Sequence, residues 1–122
     1  MKVANQSKSL VISEDAEIAQ SFLSRLRGLI FSERKDIVLI SPKEDIASSS
    51  IHMFLMKFPI DVLWLNSNML VVDIRRKILP FNIFDTKTWR IYRPRNPAKY
   101  VIELGIGELG TTEIGDKIEF IQ

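Results

Sequence analysis

With 122 residues and no break in composition, the chain is read as one domain, 1–122, with one core. Its 46% hydrophobic and 26% charged content excludes a disordered chain. The absence of cysteine removes disulfides, thiolate nucleophiles and cysteine-type zinc sites together.

A net charge of +2 does not by itself point to a polyanionic partner. The longest apolar stretch, Ile51 to Leu65, is too short for a bilayer and carries Lys57 and Asp61. Met1 to Gln6 lacks the apolar run of a signal peptide. The expectation is a soluble, cytoplasmic protein without a membrane partner.

In chain order, Lys8 to Ile12 reads as a first short strand. Ser13 is placed to cap a helix, with Glu14, Asp15 and Glu17 in its first turn and Ile18, Ala19, Phe22, Leu23 and Leu26 at helical spacing. Arg25, Arg27 and then Gly28 end it. Strands follow: Ile37 to Ile40, closed by Ser41-Pro42; Ile51 to Met56, interrupted at Pro59; and Ile60 to Leu65, with Ile60, Val62 and Trp64 on one face. Asn66-Ser67-Asn68 is a tight turn into a strand over Met69 to Leu79, with Leu70, Val72, Ile74 and Ile78 buried and Val71, Asp73, Arg75 and Lys77 wet. Residues 80–97 hold three prolines without a period and read as a long loop. Tyr100 to Leu104 and Lys117 to Ile121 are strands, the second entered by a Gly115-Asp116 turn. This order predicts a mainly β fold of α+β type, a sandwich or barrel-like sheet with one N-terminal amphipathic helix.

Three segments carry a resemblance: Arg25-Leu26-Arg27-Gly28-Leu29-Ile30-Phe31, Ile51-His52-Met53-Phe54-Leu55-Met56-Lys57-Phe58-Pro59-Ile60-Asp61-Val62, and Tyr100-Val101-Ile102-Glu103-Leu104 followed by Gly115-Asp116. Together they resemble the uncharacterised family catalogued as domain of unknown function 192, over roughly Lys8 to Ile121. The resemblance implies a small β-rich fold with one helix and brings no reaction with it. The chain departs from the family at Asn66-Ser67-Asn68, where a glycine is usual, and at Leu104-Gly105-Ile106-Gly107, where Leu-Pro-Ala-Gly is usual.

The candidate chemistry begins with the polar residues of the central motif. A carboxylate in an apolar strand needs a partner, so Asp61 is expected to meet Lys57, Arg27 or backbone N–H groups and to act as a buried tie that fixes the turn at Pro59. The catalytic reading joins His52, Asp61 and Glu103 as a small hydrolase or lyase site; Arg27, His52, Lys57 and Asp61 would be the ligand contacts. His52 with Met53 and Met56 is a weak soft-metal set, because Met53 alternates to the other face, and no metal or cofactor is expected.

Gly105-x-Gly107-x-x-Gly110 spells the dinucleotide fingerprint after a strand, but the 12 residues that follow Gly110 leave no room for the helix and second strand it requires. These glycines are expected to make turns.

The segment Arg75 to Lys99 holds eight cations (Arg75, Arg76, Lys77, Lys87, Arg90, Arg93, Arg95, Lys99) against one acid, Asp85. Interleaved aromatics make it the candidate nucleic-acid or polyanion surface, with Lys87, Arg90, Arg93 and Arg95 for phosphates and Trp89 and Tyr92 for stacking. The leading expectation is a non-enzymatic accessory or binding domain of unknown partner, with these two readings as alternatives.

Overall fold

The computed structural model describes residues 1–19, 34–52, 58–80, 84–86 and 91–122. Ten strands are present among them: β1 (Lys2–Asn5), β2 (Leu10–Ser13), β3 (Ala16–Ala19), β4 (Asp36–Asp45), β5 (Ile51–His52), β6 (Ile60–Leu65), β7 (Val71–Ile78), β8 (Ile91–Tyr92), β9 (Ala98–Leu104) and β10 (Ile118–Ile121). They form a five-stranded sheet in the order β3-β4-β9-β6-β7, a three-stranded sheet β10-β1-β2 and a two-stranded ribbon β5-β8. All pairings are antiparallel except β3 with β4.

The five-stranded sheet is covered on both sides, which is why its inner strands β6 and β9 read as nearly continuous apolar runs. On one face Ile37, Val62, Trp64 and Val101 pack with Ile51 and Tyr92 of the ribbon and with Phe58. On the other, Val38, Leu63, Leu65, Ile102 and Leu104 pack with Val3, Ile12 and Ile118 of the three-stranded sheet. The result is an open sandwich with a ribbon on its outer face; the described strands close no barrel. Among the described residues no helix is long and apolar enough to cross a membrane.

The expected N-terminal helix is corrected where it can be followed. Ala16–Ala19 is a strand paired in parallel with Asp36 to Leu39, and residues 20–27, with Arg25 and Arg27, lie outside the described residues. Ile18, which a helical stripe would bury, is 46% exposed, while Ala16 and Ala19 are buried. Ser13 caps no helix and donates its hydroxyl to Asp36. Tertiary pairing overrides a helical pattern that exists only in the spacing of side chains.

Other boundaries move for local reasons. β1 is absent from the sequence reading, being short and polar, yet it is the middle strand of its sheet. β4 runs on through Ser41 and Pro42, with its pairing to β9 irregular between Ile40 and Asp45. In the turn after β6 the positive φ falls on Met69 (65°), not on an asparagine; Asn66 shapes the turn by accepting the N–H groups of Asn68 and Leu70. In β7, register shifts bury Val71 and Asp73, both expected on the wet face.

Candidate functional site

Asp61 sits in β6 opposite Leu104 of β9, and its neighbour Val62 sits opposite Glu103. Successive strand residues alternate in direction, so Asp61 and Glu103 stand on opposite faces of the sheet. His52 enters the description through its backbone pairing with Ile91. Lys57 lies outside the described residues. Asp61 and Glu103 are thus not brought together.

Asp61 accepts the backbone N–H of Lys77 at 2.8 Å. Lys77 has φ 52°, a left-handed conformation costly for a residue with a Cβ, and it lies where the β6–β7 register slips between Ile60 and Val62. The carboxylate therefore holds a bulge in the neighbouring strand. Among the described residues the partner is a backbone N–H; Arg27 and Lys57 lie outside them.

Asp36 is a buried carboxylate that the sequence reading did not single out. It faces Leu104 from β4, while Asp61 faces Leu104 from β6. Its oxygens accept the Ser13 hydroxyl and the backbone N–H groups of Ile106 (2.8 Å) and Gly107 (2.9 and 3.0 Å). A Cβ on Gly107 would collide with the Ile12 carbonyl and the Asp36 carboxylate. The glycines make a turn, as expected, and that turn wraps the chain's own Asp36 carboxylate. An acid at the start of the apolar run Ile37 to Ile40 was the available signal.

A second polar cluster ties the turn after β1 to the turn before β10. Asp116 accepts from the Asn5 amide (2.9 Å), from the Glu113 N–H (3.0 Å) and from Lys8 Nζ (2.8 and 3.0 Å). The Lys8 bond, followed by the Asn5 bond, holds the Asp116 carboxyl at about 2, below its ordinary 3.8. The same contact with Asp116, then that with Glu113, raises the Lys8 ammonium above its ordinary value.

The basic segment has a definite form over residues 91–95. Ile91, Arg93 and Arg95 are exposed, while Tyr92 and Pro94 between them are buried. Tyr92 belongs to the core with Trp64 and Ile51, so its ring does not offer a stacking face. Buried Asp73 fastens the segment by accepting the Arg95 N–H at 3.0 Å, with Arg95 Nε 3.7 Å away. Arg93 has no ion-pair partner among the described residues. Lys87, Trp89 and Arg90 lie outside the described residues.

Beside this segment is an open depression of about 440 Å³ lined by Ile46, Ala47, Ser50, Ile91 and Arg93. Its other wall is the turn after β4. There Asp45 accepts the Ser48 N–H, Ser50 Oγ donates to the Ile46 carbonyl, and the buried Trp64 indole donates to the Ser49 carbonyl at 2.7 Å. Ile46 and Ile91 did not figure in the sequence reading, because the depression joins residues far apart in the chain. Among the described residues no cluster of His, Asp and Glu fit to hold a metal ion is present.

The model of the family described as "Uncharacterized ACR", domain of unknown function 192, matches residues 2–120. A UPF0127 protein of Pyrococcus horikoshii is 40% identical over 121 residues, covering 97% of this chain and 97% of that protein. A UPF0127 protein of Thermococcus kodakarensis is 35% identical over 122 residues, covering 97% of this chain and 72% of that protein. The fold is shared with a crystal structure of a protein of unknown function from Novosphingobium aromaticivorans, at a TM-score of 0.73 and 18% identity, over 98% of this chain and 82% of that one.

Proposed function

We propose that this chain, which belongs to the uncharacterised family known as domain of unknown function 192, is a cytoplasmic, non-enzymatic accessory domain that binds an anionic partner on the outward side of residues 91–95. The observation that carries the reading is the alternation there: Ile91, Arg93 and Arg95 point out, and Tyr92 and Pro94 anchor the strip from within. Cations on a pinned backbone lose less freedom on binding than cations on a mobile loop, so more of their attraction is left as affinity.

Two competing readings draw less support. A hydrolase or lyase would need Asp61 and Glu103 to act on one bound molecule, and they occupy opposite faces of the sheet. A nucleic-acid surface would use Tyr92 for stacking, and that ring is packed in the core.

The test is fluorescence anisotropy with labelled poly-glutamate and labelled single-stranded RNA, at low and physiological salt, on the wild type and on Arg93→Glu with Arg95→Gln. Glutamine at 95 avoids setting a carboxylate beside buried Asp73. The expected result is poly-glutamate binding that weakens with salt and is lost in the double variant at an unchanged melting temperature. No binding of either probe by the wild type, or binding that the substitutions leave untouched, would remove the reading.

A further inference from the structure

The depression beside Arg93 says more about the partner than its charge. Its floor is aliphatic: Ile46 is 36% and Ile91 55% exposed, and Ala47 lies between them on the surface. Among the described residues that line it, Arg93 is the cation and none is a carboxylate. The turn that forms one wall is fixed to the core by the Trp64 indole, and the strand that forms the other is fixed by Tyr92. Both walls are thus anchored to the core, around an open depression of about 440 Å³.

Resting on the reading above, we infer that the occupant is a protein segment that sets one aliphatic side chain on Ile46 and Ile91 and one carboxylate on Arg93. The guanidinium recognises a carboxylate by two parallel hydrogen bonds, and the exposed isoleucines give up water to an apolar neighbour. A polyphosphate chain would meet the cation but leave the isoleucines wet. A nucleic acid would meet Arg93 and Arg95 as the exposed cations among the described residues of the strip, and Arg95 already lies near Asp73.

The experiment compares three labelled eight-residue peptides, one alternating Glu and Leu, one alternating Glu and Ser, and one alternating Lys and Leu. Each is titrated into the wild type, Arg93→Glu, Ile91→Asp and Ile46→Asp, all at exposed positions, with melting temperature as the check on folding. The Glu/Leu peptide should bind at least about tenfold more tightly than Glu/Ser, and Lys/Leu should not bind. Arg93→Glu and either isoleucine substitution should each weaken Glu/Leu by about tenfold or more.

Equal binding of Glu/Leu and Glu/Ser, with Arg93→Glu still disruptive, would overturn the aliphatic part while leaving the anionic face in place. Binding of Lys/Leu as tight as that of Glu/Leu would overturn the carboxylate part. Failure of both acidic peptides together with poly-glutamate would overturn this inference and the reading beneath it.

Discussion

Asp36 gathers three donors: the Ser13 hydroxyl and the N–H groups of Ile106 and Gly107. Asp36→Ala would leave the buried Ser13 hydroxyl without this acceptor and release the part-buried N–H groups of Ile106 and Gly107, at a cost of about 1 to 3 kcal/mol in denaturant unfolding. The same region resists a methyl group. Gly107→Ala must displace either the Ile12 backbone or the Asp36 carboxylate, whereas Gly115, with φ 96° and open space around it, is constrained by conformation alone.

The Asp116 and Lys8 contact has a pH signature at this scale. The carboxyl is depressed to about 2 in the folded chain against an ordinary 3.8, so its contribution is present above about pH 4 and lost as pH falls toward 2. The ammonium is raised, so its contribution is present below its unfolded value of about 10.4 and lost as pH rises past it. Thermal midpoints of wild type and Asp116→Asn should therefore differ most between these limits and converge near pH 2. A gap that stays constant down to pH 2 would count against the assignment.

At the level of the strand, the bulge in β7 couples two residues from different strands. Asp61 accepts the Lys77 N–H, and Lys77 is left-handed. Asp61→Ala is expected to cost about 1 to 2 kcal/mol, and Asp61→Asn less, since an amide oxygen can still accept that N–H. Lys77→Gly should be neutral or stabilising by up to about 1 kcal/mol, the reverse of what glycine does inside a regular strand. Urea midpoints of the three variants check both statements; a Lys77→Gly loss as large as that of Asp61→Ala would contradict them.

Strands of this kind show what the sequence made legible. Ile60, Val62 and Trp64 share a face as their period of two requires, because both sides of β6 are paired and its register is regular there toward β9. In β7 the alternation fails both at Val71 and Asp73 and past Arg75, where the register shifts twice against β6, and such shifts leave no mark in the local pattern. β3 escaped for a related reason. Its acids and apolar residues fit a helical period, and only the pairing with β4 decides otherwise. That Asp61 takes a hydrogen-bond partner was readable from a charge in an apolar strand, but the bond found is to Lys77 of β7 rather than a buried tie at Pro59; the depression was not readable, because it is made of residues 46–50 and 91–93.

For the molecule as a whole, the two sheets are joined by polar contacts as well as by the core. Asp36 belongs to the five-stranded sheet and Ser13 to the three-stranded one, so their bond crosses the sandwich. The depression lies on the opposite side, where the ribbon meets the central sheet. Changes at the Asp36 cage should therefore appear in stability and leave anionic binding at Arg93 unchanged in the fraction that remains folded.

The pairing of β1 with β10 bears on when the fold can form during synthesis. β1 precedes β2 and β10 in the chain, is flanked by both in the sheet, and cannot be fully paired until residues 118–121 are made. The middle strand of the larger sheet, β9, is likewise late, arriving after both of its neighbours, β4 and β6. A nascent chain stopped at residue 97 has neither sheet complete and exposes the apolar faces of β4 and β6 to whatever lies outside the ribosome exit. Completion of both sheets therefore waits on β9 and β10, whose pairings with β4 and β1 close over long stretches of sequence.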